Sequence, residues 1–172
     1  CGKPWIPPRQ EGSQKVADLF ASIFPDPEMR AGYTSVLKSG LTGTRPENFI
    51  IANGGGRNGK GVINENTANC AGNYAVEGHL ALLTKPIRDG PNPEAAGLDR
   101  KRLAIFSEPE DGMNEALRLS CIKKLTGCAE LNARECHSNN TKTELCATII
   151  MECNKQPRIT GEKGEAATAR QI

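Results

Sequence analysis

No apolar run in this 172-residue sequence approaches the ~18 residues that would span a bilayer, so its pattern offers no membrane segment. The opening CGKPWIPPRQ has no basic stretch leading into an apolar segment and a small-residue cleavage site, so a secretory signal is not expected and an intracellular setting is. Charge of one sign is also missing. The 22 basic and 20 acidic residues leave a net charge of +2, which excludes a global basic field, so any contact with nucleic acid has to be made by locally placed side chains. Histidine is nearly absent, with only His79 and His137, and no CxxC pair exists among the seven cysteines. That odd number, falling mostly in apolar stretches, predicts reduced, buried small hydrophobes in place of disulfides or zinc ligands.

What is present suits one globular domain with a real core: 37% hydrophobic and 24% charged residues, at a length short for two domains. The first fifteen residues, rich in Pro, Gly and charge, read as a linker or the edge of a preceding domain. Val16, Leu19, Phe20, Ile23 and Phe24 recur at helical spacing after Ser13, a candidate N-cap, and Pro25 stops the run. Asp26 and Pro27 open a second helix with Met29, Tyr33, Val36 and Leu37 on its apolar face and Gly40 placed to close it. Phe49 to Ala52 predicts a short strand, the residues after Lys60 a helix, and LAIF (Leu103 to Phe106) a second buried strand. Asn114 to Leu125 reads as a helix with Ala116, Leu117, Cys121, Ile122 and Leu125 inward and Gly127 as its stop. Leu131 to Cys153 reads as two strands joined around Ser138 to Lys142, the second being TELCATIIMEC.

The strongest chemical signal is Gly54-Gly55-Gly56-Arg57-Asn58-Gly59-Lys60, which meets the first seven positions of the P-loop pattern between a predicted strand and a predicted helix. Glycines there let backbone N–H groups turn onto phosphate oxygens, the helix N-terminus adds positive potential, and Lys60 reaches the outer phosphates. The next position, usually a Ser or Thr that binds magnesium, is Gly61, which predicts weaker magnesium coordination. A phosphate loop needs an acid on another strand, to hold the magnesium shell and polarise the attacking water. Glu108, just past LAIF, is the first candidate, followed by Glu110 and then Asp111. Asn154, at the end of the apolar strand, stands where an amide can meet the attacking water or the terminal phosphate.

The ordered runs NGGGRNGKG, GPNPEAAGLDRKRLAIFSEPE, IKKLTG with LNAR and HSNNTKTEL, and TIIMECNKQPRI resemble motifs A, B, B-prime and C of superfamily 3 helicases. More narrowly, they are similar to the helicase part of the poxvirus-type primase-helicases carried by nucleocytoplasmic large DNA viruses, over roughly residues 40–172. The resemblance implies an α/β fold of the AAA+ type, a P-loop NTPase core with a mostly parallel sheet preceded by a short helical segment. It divides the chain into a linker and helical segment, residues 1–45, and an ATPase core, residues 46–172. Relatives continue beyond Ile172 through another strand and a helical part, which implies a core truncated at its C-terminus.

The same resemblance implies that residues 54–61 bind ATP, that Lys60, Glu108 and Asn154 take part in hydrolysis, and that Glu108 holds magnesium through water. It implies an arginine given to a neighbouring subunit's site, best matched by Arg170, with Arg158 as the competitor. A hairpin between motifs B-prime and C, here Asn132 to Leu145 with His137, Asn139, Asn140 and Lys142, is expected to grip DNA in a ring's channel. The implied partners are single-stranded DNA or a fork, a homo-hexamer and a fused or associated primase domain, with no membrane. The implied place is an intracellular viral replication site, in host cytoplasm or nucleus. Departures from the family pattern stand at Gly61, Cys128, Ala129 and Gln171. They keep open a module that binds nucleotide without turning it over. A P-loop ATPase acting on another substrate, such as a packaging motor, is the other alternative.

Overall fold

The computed structural model describes residues 7, 9–43, 46–108, 115–134 and 142–161. Its first elements are two helices, α1 (Gln10–Ile23) and α2 (Pro27–Thr42). α1 begins earlier than its apolar spacing suggests. Arg9 is the N-cap, and Ser13, expected to cap, lies inside the helix with its N–H on the Arg9 carbonyl at 3.0 Å. α2 begins as its sequence requires, with the Asp26 side chain accepting the N–H of Glu28 and Pro27 at a position whose N–H would be unused. It ends at Gly43 (φ 74°), not at Gly40. Gly40 is buried within the helix, and a Cβ there would stand 3.1 Å from Leu103, so it serves close packing, not termination.

The chain continues through β1 (Phe49–Asn53), α3 (Lys60–Ala71), β2 (Ala75–Glu77), α4 (Ala81–Thr84), β3 (Gly90–Pro91), α5 (Pro93–Ala96) and β4 (Leu103–Ser107). After these come β5 (Leu117–Arg118), α6 (Leu119–Gly127), β6 (Glu130–Leu131), β7 (Ala133–Arg134), β8 (Thr143–Glu144), β9 (Thr148–Cys153) and β10 (Ile159–Thr160). The main sheet has the order β1-β9-β4-β2 with every pair parallel. The expected α/β fold with a mostly parallel sheet is therefore present.

A parallel sheet is stable when both faces are covered, and its strands then read as continuous apolar runs. On one face Phe49, Ala104, Phe106, Ile149 and Met151 join Leu82, Leu83, Leu98, Ile122, Leu125 and Leu131 in the larger core. On the other, Ile50, Leu103, Ile105 and Ile150 meet Leu37 and Ile63, with Phe20, Ile23, Phe24, Tyr33 and Val36 of the first two helices packed at the margin.

Two expected elements are rearranged. The helix read from Asn114 starts only at Leu119, because Leu117 and Arg118 pair as a strand with Ile159 and Thr160; residues 109–114 lie outside the described residues. Gly127 is the last residue of that helix and Cys128 follows it as C-cap. TELCATIIMEC is two strands, since Thr143–Glu144 pairs antiparallel with Glu130–Leu131 while Thr148–Cys153 joins the main sheet. Leu145 bridges them with its N–H on the Ala129 carbonyl at 2.8 Å. Among the described cysteines, none of them in a disulfide, Cys121 and Cys153 are buried, but Cys70 is exposed on α3, against the expectation of burial. No helix among the described residues is long and apolar enough to cross a membrane.

Candidate nucleotide site

The carboxyl ends of β1, β9 and β4 lie side by side, and each leads into a residue singled out by its chemistry. β1 runs into the glycine loop, β4 ends one residue before Glu108, and β9 one residue before Asn154. In open parallel sheets the crevice at this edge is where ligands bind. The loop is tied to the sheet by the Gly54 N–H on the Cys153 carbonyl at 3.2 Å, and Glu108 is tied by its N–H to the Glu152 carbonyl at 3.1 Å.

The loop turns through two left-handed residues, Arg57 (φ 62°) and Gly59 (φ 85°), before α3 begins at Lys60. A Cβ on Gly59 would also stand 2.6 Å from Ile23 of α1, so glycine is required there twice over. A non-glycine residue held at positive φ stores strain, and Arg57 does so at the tip of the loop.

Lys60 occupies the centre. Its Nζ donates to the Gly54 carbonyl at 2.7 Å, to Asn154 Oδ1 at 3.1 Å and to Asn58 Oδ1 at 3.4 Å. The Asn154 N–H in turn donates to Glu108 Oε2 at 2.6 Å. Lysine, amide and carboxylate, distant in sequence, are thus joined in one short chain of hydrogen bonds. They border a cavity of about 370 Å³ that Gly56, Arg57, Gly61, Ser107 and Glu152 also line. Burial pushes the Cys153 thiol, on the same wall, above its ordinary pKa, and Glu108 adds to that shift.

A network that the sequence reading did not single out lies beneath α3. Asn64, 1% exposed, donates from Nδ2 to Glu152 Oε1 at 2.6 Å and accepts the Tyr33 hydroxyl on Oδ1 at 2.7 Å. The signal was available: Glu152 is the one charged residue within the six residues of β9, and it shares the parity of Ile150.

Of the remaining expected residues, the described ones, Arg158 and Lys142, do not border this cavity. Arg170, His137, Asn139 and Asn140 lie outside the described residues, as do Glu110 and Asp111. Arg158 is exposed, and its carbonyl accepts the Leu117 N–H at 2.8 Å. Lys142 immediately precedes β8, and its Nζ is 2.9 Å from a Glu130 carboxylate oxygen on the strand beside it. That contact raises the Lys142 pKa.

The cavity offers a glycine loop, a helix N-terminus and an ammonium to an anion, and the carboxylates of Glu108 and Glu152 on its wall. Among the described residues no three His, Cys, Asp or Glu side chains gather as a metal cage. The two carboxylates that are present, Glu108 and Glu152, fit magnesium, which takes one or two carboxylates with substrate phosphates and water.

Such a sheet, with a glycine loop at its carboxyl edge, defines a P-loop NTPase-like core. No family model matches the chain. Among curated proteins it is 31% identical over 133 residues to Primase D5 of Fowlpox virus (strain NVSL), covering 76% of the chain. It is 30% identical over 152 residues to the 022R protein of Frog virus 3 (isolate Goorha), named for a helicase, covering 84% of the chain. The chain spans only 17% and 15% of the lengths of these two relatives. Among solved structures, the NrS-1 C-terminal region matches 91% of the chain and 37% of its own length, with a TM-score of 0.60 at 13% identity. The JCV helicase matches 92% and 43%, with a TM-score of 0.54 at 15% identity. The chain is a homologue of the poxvirus-type primase-helicases of large DNA viruses, and its fold is that of helicase domains.

Proposed function

We propose that this chain is the ATP-hydrolysing core of a superfamily 3 DNA helicase acting in viral DNA replication, an AAA+ motor that translocates on DNA as a homo-hexameric ring. The observation that carries the reading is the chain of hydrogen bonds from Lys60 through Asn154 to Glu108 at the edge of the glycine loop. Residues 54–61 wrap the phosphates, and Lys60 exchanges amide and carbonyl partners for phosphate oxygens, stronger acceptors for an ammonium. Magnesium, when bound, neutralises charge on the outer phosphates. Glu108 polarises the attacking water and reaches the magnesium shell through water, and Asn154 orients the water or the terminal phosphate. Arg170 of one subunit completes the site of the next, and a primase domain is fused to this core or associates with it. The site of action is a viral replication site in host cytoplasm or nucleus.

Glu108→Gln tests this, because it keeps the shape and removes the charge that acts on water. ATP binding is expected to stay within about twofold while hydrolysis falls by at least ~10². Wild-type turnover in the variant would remove Glu108 from the mechanism. Gly61, which brings no hydroxyl to the cavity, favours a second reading: a module that binds nucleotide without hydrolysing it. A wild-type protein that binds ATP and never turns it over, in any assembly state, would select that reading.

DNA enters the proposal through Lys142. A passing phosphate competes with Glu130 for its ammonium, a contact indifferent to base sequence. Lys142→Ala should weaken single-stranded DNA binding on every sequence, lower the salt slope by about one and spare DNA-independent ATPase activity. Unchanged affinity at all salt concentrations would place the hairpin away from DNA.

A further inference from the structure

Gly61 removes a magnesium ligand from the helix side of the cavity, and the opposite wall contains a carboxylate that the proposed mechanism has not used. Ser107 and Glu152 are register partners in the adjacent strands β4 and β9. By alternation both share the face of Leu103, Ile105 and Ile150, the face covered by α3. Both border the phosphate cavity together with Gly61, and all three also border a neighbouring cavity of about 530 Å³ along α3. Glu108 borders the phosphate cavity as well, but one of its oxygens, Oε2, already accepts the Asn154 N–H.

The Glu152 carboxylate is positioned from behind. Asn64 holds its Oε1 at 2.6 Å and is itself fixed by Tyr33. Such outer partners orient metal-binding carboxylates. Beside a triphosphate, a fixed carboxylate is repulsive unless a cation lies between them. A Cβ on Gly61 would meet nothing within 4 Å, so the volume of the missing hydroxyl is open to a shell water.

We infer that Glu152 supplies a second carboxylate of the magnesium shell, compensating for Gly61, while Asn64 and Tyr33 act as positioning residues behind it. The inference rests on the proposed ATP site and deepens it: Glu152 joins Glu108 in the magnesium shell, and Glu108 also acts on the attacking water.

The test is binding of a fluorescent ATP analogue to the wild-type protein and to Glu152→Gln, in EDTA and in millimolar magnesium. Loss of the carboxylate should weaken binding about tenfold or more in magnesium. In EDTA, where only repulsion is removed, binding should be equal or tighter. Adding Gly61→Ser to Glu152→Gln should recover part of the magnesium effect. Equal losses in both conditions, or no change in either, overturn the inference. The first outcome would leave Glu152 as a support for α3, and the second would leave it idle. If Glu152→Gln does not fold, Glu152→Asp keeps the charge with a shorter reach and should show a smaller loss confined to magnesium. A wild-type protein that binds no ATP in either condition fails the nucleotide reading itself, and this inference with it.

Discussion

The face of the sheet built on Phe49, Ala104, Phe106, Ile149, Met151 and Cys153 is apolar up to its carboxyl edge, whereas the face beneath α3 begins with Leu103 beside a buried Thr148, continues through Ile105 and Ile150, and ends in Ser107 and Glu152. Both faces belong to the same strands and differ only in residue parity. Apolar contact dominates the first, and of those six side chains only Cys153 borders the phosphate cavity. The second gives up apolar contact at its last layer and buries Asn64 and parts of Tyr33 and Glu152 in its place. Buried polar groups add little net stability when paired and cost much when orphaned, so their value lies in fixing position. The difference shows how a parallel sheet can hold a reactive edge: one face supplies the stability that lets the other be polar.

The sharpest way to break this comparison is to remove apolar volume from the first face. Phe106 is fully buried, and its ring lies so close to Gly78 that no side chain fits there. Phe106→Ala should cost about 3–5 kcal/mol, the usual cost of a large aromatic cavity, measured by urea unfolding. A loss below ~1 kcal/mol would mean that this face collapses easily and does not carry the stability assigned to it.

Which parts of this were legible in the sequence follows from how locally each is encoded. β1, the glycine loop, α3, β4 and the end of β9 were read in place because apolar runs next to a spaced glycine motif need no distant partner to be recognised. The alignment of Lys60, Glu108 and Asn154 followed, since all three leave the same edge of a parallel sheet. Elements defined by pairing were missed. β2 is only Ala75–Glu77, and Leu117–Arg118 looks helical until Ile159 and Thr160 lie beside it. Ser13 satisfied the chemistry of a cap, but the chain was already helical three residues earlier. Glu152 stands out in the sequence as the one acid of an apolar strand, but its partner Asn64 lies 88 residues away and only the fold brings the two together.

The smallest effect expected is also the most specific to the second face. Tyr33 donates its hydroxyl to Asn64, and burial, together with the nearby Glu152 carboxylate, pushes its pKa up to about 12 from 10.0. A raised folded-state pKa means that between these two values the unfolded chain has released a proton that the folded chain still holds. The stability contributed by neutral Tyr33 is therefore complete below pH 10 and is lost as pH rises towards 12. Tyr33→Phe forfeits the hydrogen bond, about 0.5–1.5 kcal/mol at neutral pH, but has no phenol to titrate. The wild-type advantage over the variant should thus narrow across the alkaline window and can reverse within it. Urea unfolding of both proteins at pH 7 and at two points between pH 10 and 12 measures this difference, and groups common to both cancel. A gap that stays constant with pH would mean that the Tyr33 phenol is not buried against Asn64 and Glu152. The polar layer beneath α3 would then be looser than the apolar face opposite, and too loose to hold Glu152 in position.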